Sequence, residues 1–410
     1  MKFIITIIML LILESSVGHA QTLNEYLKTA AENNPGLQAR FKEFEASLQK
    51  VPQVSTLPDP TFSFGYFISP VETRVGPQRA RFSLTQMFPW FGTLKAQGDV
   101  AALMAEAKYQ SFLDARNQLF YQVAAAYYPL YELNQWKKIE QENIDILESY
   151  KNIANSKFKS GTAPMVDVLR VDIMLKDATT SLSILNEKEK TLRTTFNKLL
   201  NRDENEGIAI KDSLPAETLP ANFQKDSLLL NNPMLNALDL KFKASEAGER
   251  AAQRQGLPKL GVGLDYVVVG ERTDMALSDN GKDVLMPMVS MSIPLFRKKY
   301  DAAEKEAQLM QESYAFQKTE MENSLTSSYE MAWFQIQQQM QLLSLYEQQI
   351  QTSQHSLNLL FTSYGNSGKE FEEVLRMQQQ LLKYEKMKAT AEVQYQTALA
   401  KLNYLTAKTY

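Results

Sequence analysis

Two kinds of hydrophobic pattern alternate along this chain. Around residues 60–68, 79–88, 259–269 and 284–293, apolar side chains take every second position. Phe62, Phe64 and Tyr66 alternate with Thr61, Ser63 and Gly65, and Ala80, Phe82, Leu84 and Gln86 with Arg79, Arg81, Ser83 and Thr85. Leu260, Val262, Leu264, Tyr266 and Val268 alternate with Gly261, Gly263, Asp265 and Val267. Val289, Met291 and Ile293 do the same with Met288, Ser290 and Ser292. A period of two puts one set on each face of a strand, so these stretches predict two β-hairpins. Elsewhere the period lengthens. Ile336, Leu343, Ile350, Leu357 and Tyr364 recur at every seventh position, as do Ile139, Ile146 and Ile153. From Thr93 to about Ser160 the chain has one proline (Pro129) and one glycine (Gly98), and from Arg297 to Tyr364 it has neither. Ala, Leu, Glu, Gln, Lys and Met fill both runs, and all favour helix. Helices of this length exceed the ~20 residues usual in globular proteins. A seven-residue period winds them into a left-handed supercoil. An ordinary buried bundle also fits, but narrow stripes flanked by Gln and Ser favour helices packed edge to edge with one face in water.

The pattern is written twice. "NNPGLQARFKEFEASLQK" (33–50) matches "NNPMLNALDLKFKASEAGER" (231–250), "TLPDPTFSFGYF" (56–67) matches "GLPKLGVGLDYV" (256–267), and "SLTQMFPWF" (83–91) matches "MVSMSIPLF" (288–296). Each half reads as helix, hairpin, long helix, turn, helix. The first repeat is residues 21–210, with a helical hairpin at about 92–201. A linker at 211–230 carries Pro215 and Pro220. The second repeat is 231–410, with a helical hairpin at about 297–409. The helical hairpins turn in matching sequences: "KFKSGTAPMVDVLR" (157–170) and "SYGNSGKEFEEVLR" (363–376). Gly161 and Pro164 end the first rod, and Gly365 and Gly368 the second, because Gly closes helices and Pro opens them.

Composition narrows the class. A formal net charge of -3 over 410 residues gives no basic face for nucleic acid. With no cysteine there is neither a disulfide framework nor a thiolate zinc site. Lys2, the apolar run 3–13 and the small residues Gly18 and Ala20 read as a signal peptide over residues 1–20, cleaved before Gln21. No cysteine follows it, which excludes N-terminal lipidation of the bacterial lipoprotein type. The expectation is an exported chain.

Strands of ~10 residues, apolar on one face and small or polar on the other, suit a membrane barrel, although any half-buried sheet shares the alternation. Four strands cannot close a barrel, and open edges are not tolerated in lipid. Barrel strands therefore require several copies, and three would supply twelve strands. Phe88, Pro89, Trp90 and Phe91, matched by Ile293, Pro294, Leu295 and Phe296, mark the passage from strand to helix. Their aromatics fit an interfacial belt, or equally local packing.

In its order of elements, its doubling and its two tips, the sequence resembles the TolC-like outer-membrane efflux protein family over essentially all of the mature chain. The resemblance implies a mainly α fold with membrane β, assembled as a homotrimer. Twelve strands form an outer-membrane β-barrel, set in outer-membrane lipid and continued by a periplasmic α-helical barrel. It implies a passive conduit of a tripartite efflux system, served by a periplasmic adaptor (membrane fusion) protein and an inner-membrane pump of the RND or ABC type. Type I protein secretion remains open beside heavy-metal and drug efflux. The junction "FPWFGTLKAQ" (88–97) is similar to members that accompany heavy-metal RND pumps. At the tips, the family's closing clasp falls on Asp167, Tyr364 and Lys369, and its entrance acid on Glu373. A second family acid is replaced by Arg376, and the family's tip arginine by Lys369, which lacks the bidentate fork. A ring of acids at a narrow entrance draws cations and repels anions. Singly, Asp167 and Glu373 also suit the first turn of a helix, where acids favour the dipole.

No enzyme constellation appears, and no cofactor or metal site is expected. His355 is the one histidine of the mature chain, the Gly-x-Gly at 261–263 lies within a strand, and no P-loop or His-Glu-x-x-His occurs. Met286, Met288 and Met291 could be soft ligands, but methionines in a strand more often pack. A non-channel exported coiled-coil scaffold is the rival, and it gives no reason for matched alternating hairpins.

Overall fold

The computed structural model describes residues 23–214, 229–367 and 371–408. The leader 1–20, Pro215 and Pro220 of the linker, Gly368 and Lys369 lie outside the described residues. The doubling is visible in the element order. The first half runs α1 (Leu23–Asn33), α2 (Pro35–Leu48), α3 (Lys50–Ser55), β1 (Thr61–Thr73), β2 (Gly76–Phe88), α4 (Thr93–Lys159) and α5 (Met165–Leu199). The second runs α6 (Pro233–Gln255), β3 (Lys259–Val269), β4 (Val284–Ser292), α7 (Lys298–Ser367) and α8 (Phe371–Leu405). The long helices have 67 and 70 residues and their partners 35 each, so the halves match in dimension as well as in order.

The repeats are not the compact units. One unit gathers residues 1–39, 113–232 and 322–410, and the other 40–112 and 233–321, so each draws on both halves. In the first unit the core near the chain start is aromatic. Tyr26 and Phe196, both almost fully buried, meet edge to face at 5.0 Å. The guanidinium of Arg202 lies 5.1 Å over the Tyr26 ring. Asn197, also inaccessible, uses both ends of its amide: Nδ2 donates to the Glu204 and Glu206 carbonyls at 3.0 Å, and Oδ1 accepts from Arg202 Nε at 2.8 Å. Burial of so polar a group is tolerated because these partners replace water.

In the second unit the four strands form one antiparallel sheet in the order β1-β2-β3-β4, so both hairpins join through β2 and β3. The register aligns Phe62, Leu84, Leu264 and Pro287 in one row, and Phe64, Phe82, Tyr266 and Leu285 in the next. The hairpins differ from the expected bounds in one respect. The stretch left between the strands expected at 60–68 and 79–88 is largely strand, and the turn shrinks to Arg74 and Val75. β1 lies at a sheet edge, and its pairing slips between Tyr66 and Val71. That slip accommodates Pro70, which has no N–H to give a ladder. Gly76 makes the tight turn with φ +129°, and a Cβ there would run into the Gly270 carbonyl oxygen. The second loop, 270–283, is pinned to that turn: Gly270 N donates to Pro77 O and Gly281 N to Val75 O, both at 2.7 Å. Arg272 Nη1 reaches the carbonyls of Thr73 and Arg74 at 3.3 Å.

Two further expectations shift. Gly365 does not end the second rod, because α7 continues to Ser367. On α4 the buried line is Ile144, Leu147, Tyr150 and Ala154, while Ile146 is 37% exposed. Spacings of three and four follow a helix face more closely than a strict seven, which selects the 144–147 line over the 139–146–153 line. The α7 stripe stands as expected: Ile336, Leu357 and Tyr364 are buried, with Leu343 and Ile350 half-buried.

Candidate functional site

Among the described residues no helix is long and apolar enough to cross a membrane. The sheet has the opposite character. Burial along β3 alternates, but the hidden positions are Gly261, Asp265, Val267 and Val269, while Leu260, Val262, Leu264 and Tyr266 are exposed. Phe62, Phe64 and Tyr66 on β1 and Val289 and Met291 on β4 continue this apolar face, and all are more than half exposed. On the opposite face Asp265 is 0% exposed and pairs with Arg81, whose Nη2 also points at Met288 Sδ, 3.7 Å away. Ser290 Oγ lies 3.9 Å from Met87 Sδ across Gly261. The sheet is inside out in that its apolar side chains face the surroundings; on the other face Asp265 is hidden, while Thr61, Ser63, Arg81, Ser290 and Ser292 stay exposed. The register also divides the three methionines. Met286 and Met288 fall on the small-residue face and Met291 on the apolar face, so they do not form one ligand set. Among the described residues no group of three His, Cys, Asp or Glu could hold a metal ion.

At the strand–helix junction Phe88 closes β2, and Trp90 stacks edge-on against Phe91 at 6.1 Å. Arg254 Nη1 donates to the Phe91 carbonyl at 2.7 Å and fixes the bend. Phe91, Leu295 and Phe296 are each at least 78% exposed. Pro294 separates β4 from α7 at the matching point of the second repeat.

The tips lie in the other unit, where four helix ends converge. Gly161, at φ +75°, ends α4, and its N–H donates to the Phe158 carbonyl at 2.9 Å. Pro164 occupies the N-cap of α5 in an extended conformation. Asp167 therefore falls in the first turn of α5, and Glu372 and Glu373 in the first turn of α8. Between these helices lies an apolar cluster that includes Leu147, Tyr150, Val168, Val171, Leu357, Tyr364, Phe371 and Val374. Tyr364 is wholly buried, and its ring stacks on Phe371 at 4.3 Å.

Of the expected clasp, Asp167 and Tyr364 lie close together, and Lys369 lies outside the described residues. Asp167 is buried, and Tyr364 is near enough to feel its charge. Burial raises the Tyr364 hydroxyl above its ordinary value, and Asp167 adds to the rise. Yet among the described residues Tyr364 Oη has no hydrogen-bond partner, so it makes no bond to Asp167. Burial likewise raises the Asp167 carboxyl, with Arg170 pulling it down and Glu372 pushing it up. Arg376 folds back onto Glu373, three residues earlier on the same helix, which blunts the charge of the expected entrance acid. Three residues that the sequence reading passed over complete the site. Lys157 Nζ donates to the Gly365 carbonyl at 3.0 Å and lies 5.1 Å over the Tyr364 ring. Arg170 Nη2 meets Glu372 Oε2 at 2.9 Å. The available sequence signal was the repeat itself, since Arg170 and Arg376 close the same motif. Farther along the bundle Lys386 pairs with the buried Glu140, and Gln378 Nε2 donates to Asn143 Oδ1 at 3.3 Å.

Residues 225–408 match the family model described as outer membrane efflux protein. No curated protein matches the chain in sequence. Among solved structures the chain is similar to the CusC channel, with 15% identity, a TM-score of 0.78, and 94% of this chain and 91% of that chain covered. It is similar to the outer membrane protein VceC of Vibrio cholerae, with 15% identity, a TM-score of 0.75, and 94% and 95% covered. It is also similar to the MtrE outer membrane channel of Neisseria gonorrhoeae in its open state, with 18% identity, a TM-score of 0.73, and 94% and 88% covered. At these identities what is shared is the fold.

Proposed function

We propose that this chain, a TolC-like outer-membrane efflux protein by its fold and by the sequence of its second half, is the outer-membrane conduit of a tripartite efflux system. It does no chemistry. It passes out what an inner-membrane pump and a periplasmic adaptor deliver. The observation that carries this reading is the exposed apolar face of the sheet. An apolar face open to the surroundings is costly in water and favourable in hydrocarbon, while the small and polar residues of the opposite face suit a wet interior. β1 and β4 form the two edges of the four-stranded sheet. Lipid offers such edges no hydrogen bonds, so copies must pair edge to edge, and three copies give twelve strands. The exposed aromatics at the strand–helix junctions then sit at the lipid boundary. The helical tips become the periplasmic entrance, with Asp167 and Tyr364 at its seam and Glu373 near its mouth. Metal ions, drugs and proteins all remain possible cargo. A scaffold without a pore leaves the inside-out sheet unexplained.

The test is single-channel conductance of the purified mature protein in a planar bilayer, with oligomeric mass measured in the same detergent. The expected result is a trimer with a small conductance. A monomer that never conducts would overturn the reading.

A further inference from the structure

Among the described residues, two polar contacts tie the first helical hairpin to the second at the tips, and neither uses the tyrosine hydroxyl. The first comes from Lys157, in the last turn of α4. Its ammonium takes the Gly365 carbonyl at 3.0 Å and covers the Tyr364 ring at 5.1 Å. Carbonyls in a last helical turn lack partners within the helix, and a cation there complements the dipole. The second comes from Arg170 on α5. Its Nη2 holds Glu372 Oε2 of α8 at 2.9 Å, while its Nη1 stands 3.8 Å from Asp167 Oδ1. One planar guanidinium thus spans two carboxylates on two different helices, a geometry that a lysine ammonium does not reproduce. By contrast, Tyr364 Oη has no partner among the described residues, and Arg376 is occupied by its own Glu373.

We propose that the closed entrance of this protein is latched by Arg170 and Lys157, with the Tyr364 ring as the surface they close on and its hydroxyl as a bystander. The proposal deepens the channel reading and rests on it. Arg170 is a positioning residue: it draws the start of α8 against the start of α5, over the cluster formed by Val168, Tyr364, Phe371 and Val374. Arg170 is 41% exposed and Glu372 68%, so each bridge is weak by itself. Such a pair shifts an equilibrium roughly 1.5- to 5-fold. Three copies opening together multiply that to roughly 3- to 100-fold, enough to set a gate.

The experiment compares Arg170→Glu, Glu372→Arg, the double charge swap, Lys157→Met, Lys157→Arg and Tyr364→Phe in full-length protein. Two readouts are used: bilayer conductance, and the distance between spin labels on Lys159→Cys and Asn366→Cys. Both label sites are exposed, and the chain has no native cysteine to block. Each single charge reversal and Lys157→Met should raise open probability several-fold and broaden the label distance. The double swap and Lys157→Arg should restore both, and Tyr364→Phe should neither raise open probability nor broaden the distance. If Arg170→Glu leaves the distance narrow, or if Tyr364→Phe alone opens the entrance, the latch is wrong. The label distance does not depend on conduction. If neither wild type nor any variant conducts, yet the labels separate on Arg170→Glu, the channel reading falls while the contact between the hairpin tips stands.

Discussion

Tyr364→Phe separates a structural reading of the tip from one taken from resemblance alone. By resemblance the hydroxyl bonds Asp167, and losing it loosens the entrance. In the structure the hydroxyl is fully buried and has no partner among the described residues. A buried polar group without a partner costs ~1–3 kcal/mol. Phenylalanine keeps the 4.3 Å stack on Phe371 and the Lys157 contact with the ring face. It leaves a void about one oxygen in size, which at ~24 cal/mol per Å³ costs only a few tenths of a kcal/mol. The variant should therefore stabilise the tip by about 1–2 kcal/mol. That slows local opening roughly 5- to 30-fold. The assay is hydrogen exchange of peptides spanning the end of α4 and the end of α7 in the detergent-solubilised protein, since exchange reports local opening. Slower exchange supports the reasoning. Exchange accelerated tenfold would refute it, because the hydroxyl would then have a partner in the assembled protein, with Asp167 the first candidate.

Three other outcomes are expected. Asp167 has a raised carboxyl pKa, so its contribution to tip stability is full below its ordinary value of 3.8 and is lost as pH climbs through the raised value. Asp167→Asn should flatten that slope and slow tip exchange at neutral pH relative to wild type. Arg81→Met strands the inaccessible Asp265 without its counter-ion. It should cost ~3 kcal/mol in denaturant unfolding, the low end for a broken buried pair because Arg81 itself is partly exposed. Adding Asp265→Ala should recover most of that loss. Gly76→Ala forces a side chain into a φ of +129° and against the Gly270 carbonyl. It should abolish the oligomer that the proposed barrel requires, read as mass in detergent, and an unchanged oligomeric mass would show that the β1–β2 turn is not built this way.

The sequence made the elements legible because each rests on local chemistry. The period of two at 60–68, 79–88, 259–269 and 284–293 coincides with the stretches where β1 to β4 run, and the register sets the same side chains on a shared face. The scarcity of Gly and Pro found both long helices, and the written repeat found the matching tips. Misreadings occurred where tertiary contact overrides local preference. The first strand pair runs on through Pro70 because an edge strand with a slipped register can absorb it. Gly365 stays helical, with its carbonyl taken by Lys157. The α4 stripe lies on Ile144 and Leu147 rather than Ile146, since the facing helices select among several apolar lines.

At the tips the division is sharper. Sequence position alone put Asp167 and Glu373 in first helical turns and made Gly161 a turn. It could not decide which charge meets which. Arg170, Arg376, Lys157 and four nearby acids lie within two short segments about 200 residues apart in the chain, and many pairings satisfy composition equally well. Only the packing of four helix ends assigns Arg170 to Glu372, returns Arg376 to Glu373, and buries Tyr364 beyond reach of a partner. Local patterns determine elements because backbone propensity and periodicity act over a few residues. Ion pairing depends on distances across the fold, and those are fixed only when the helices pack.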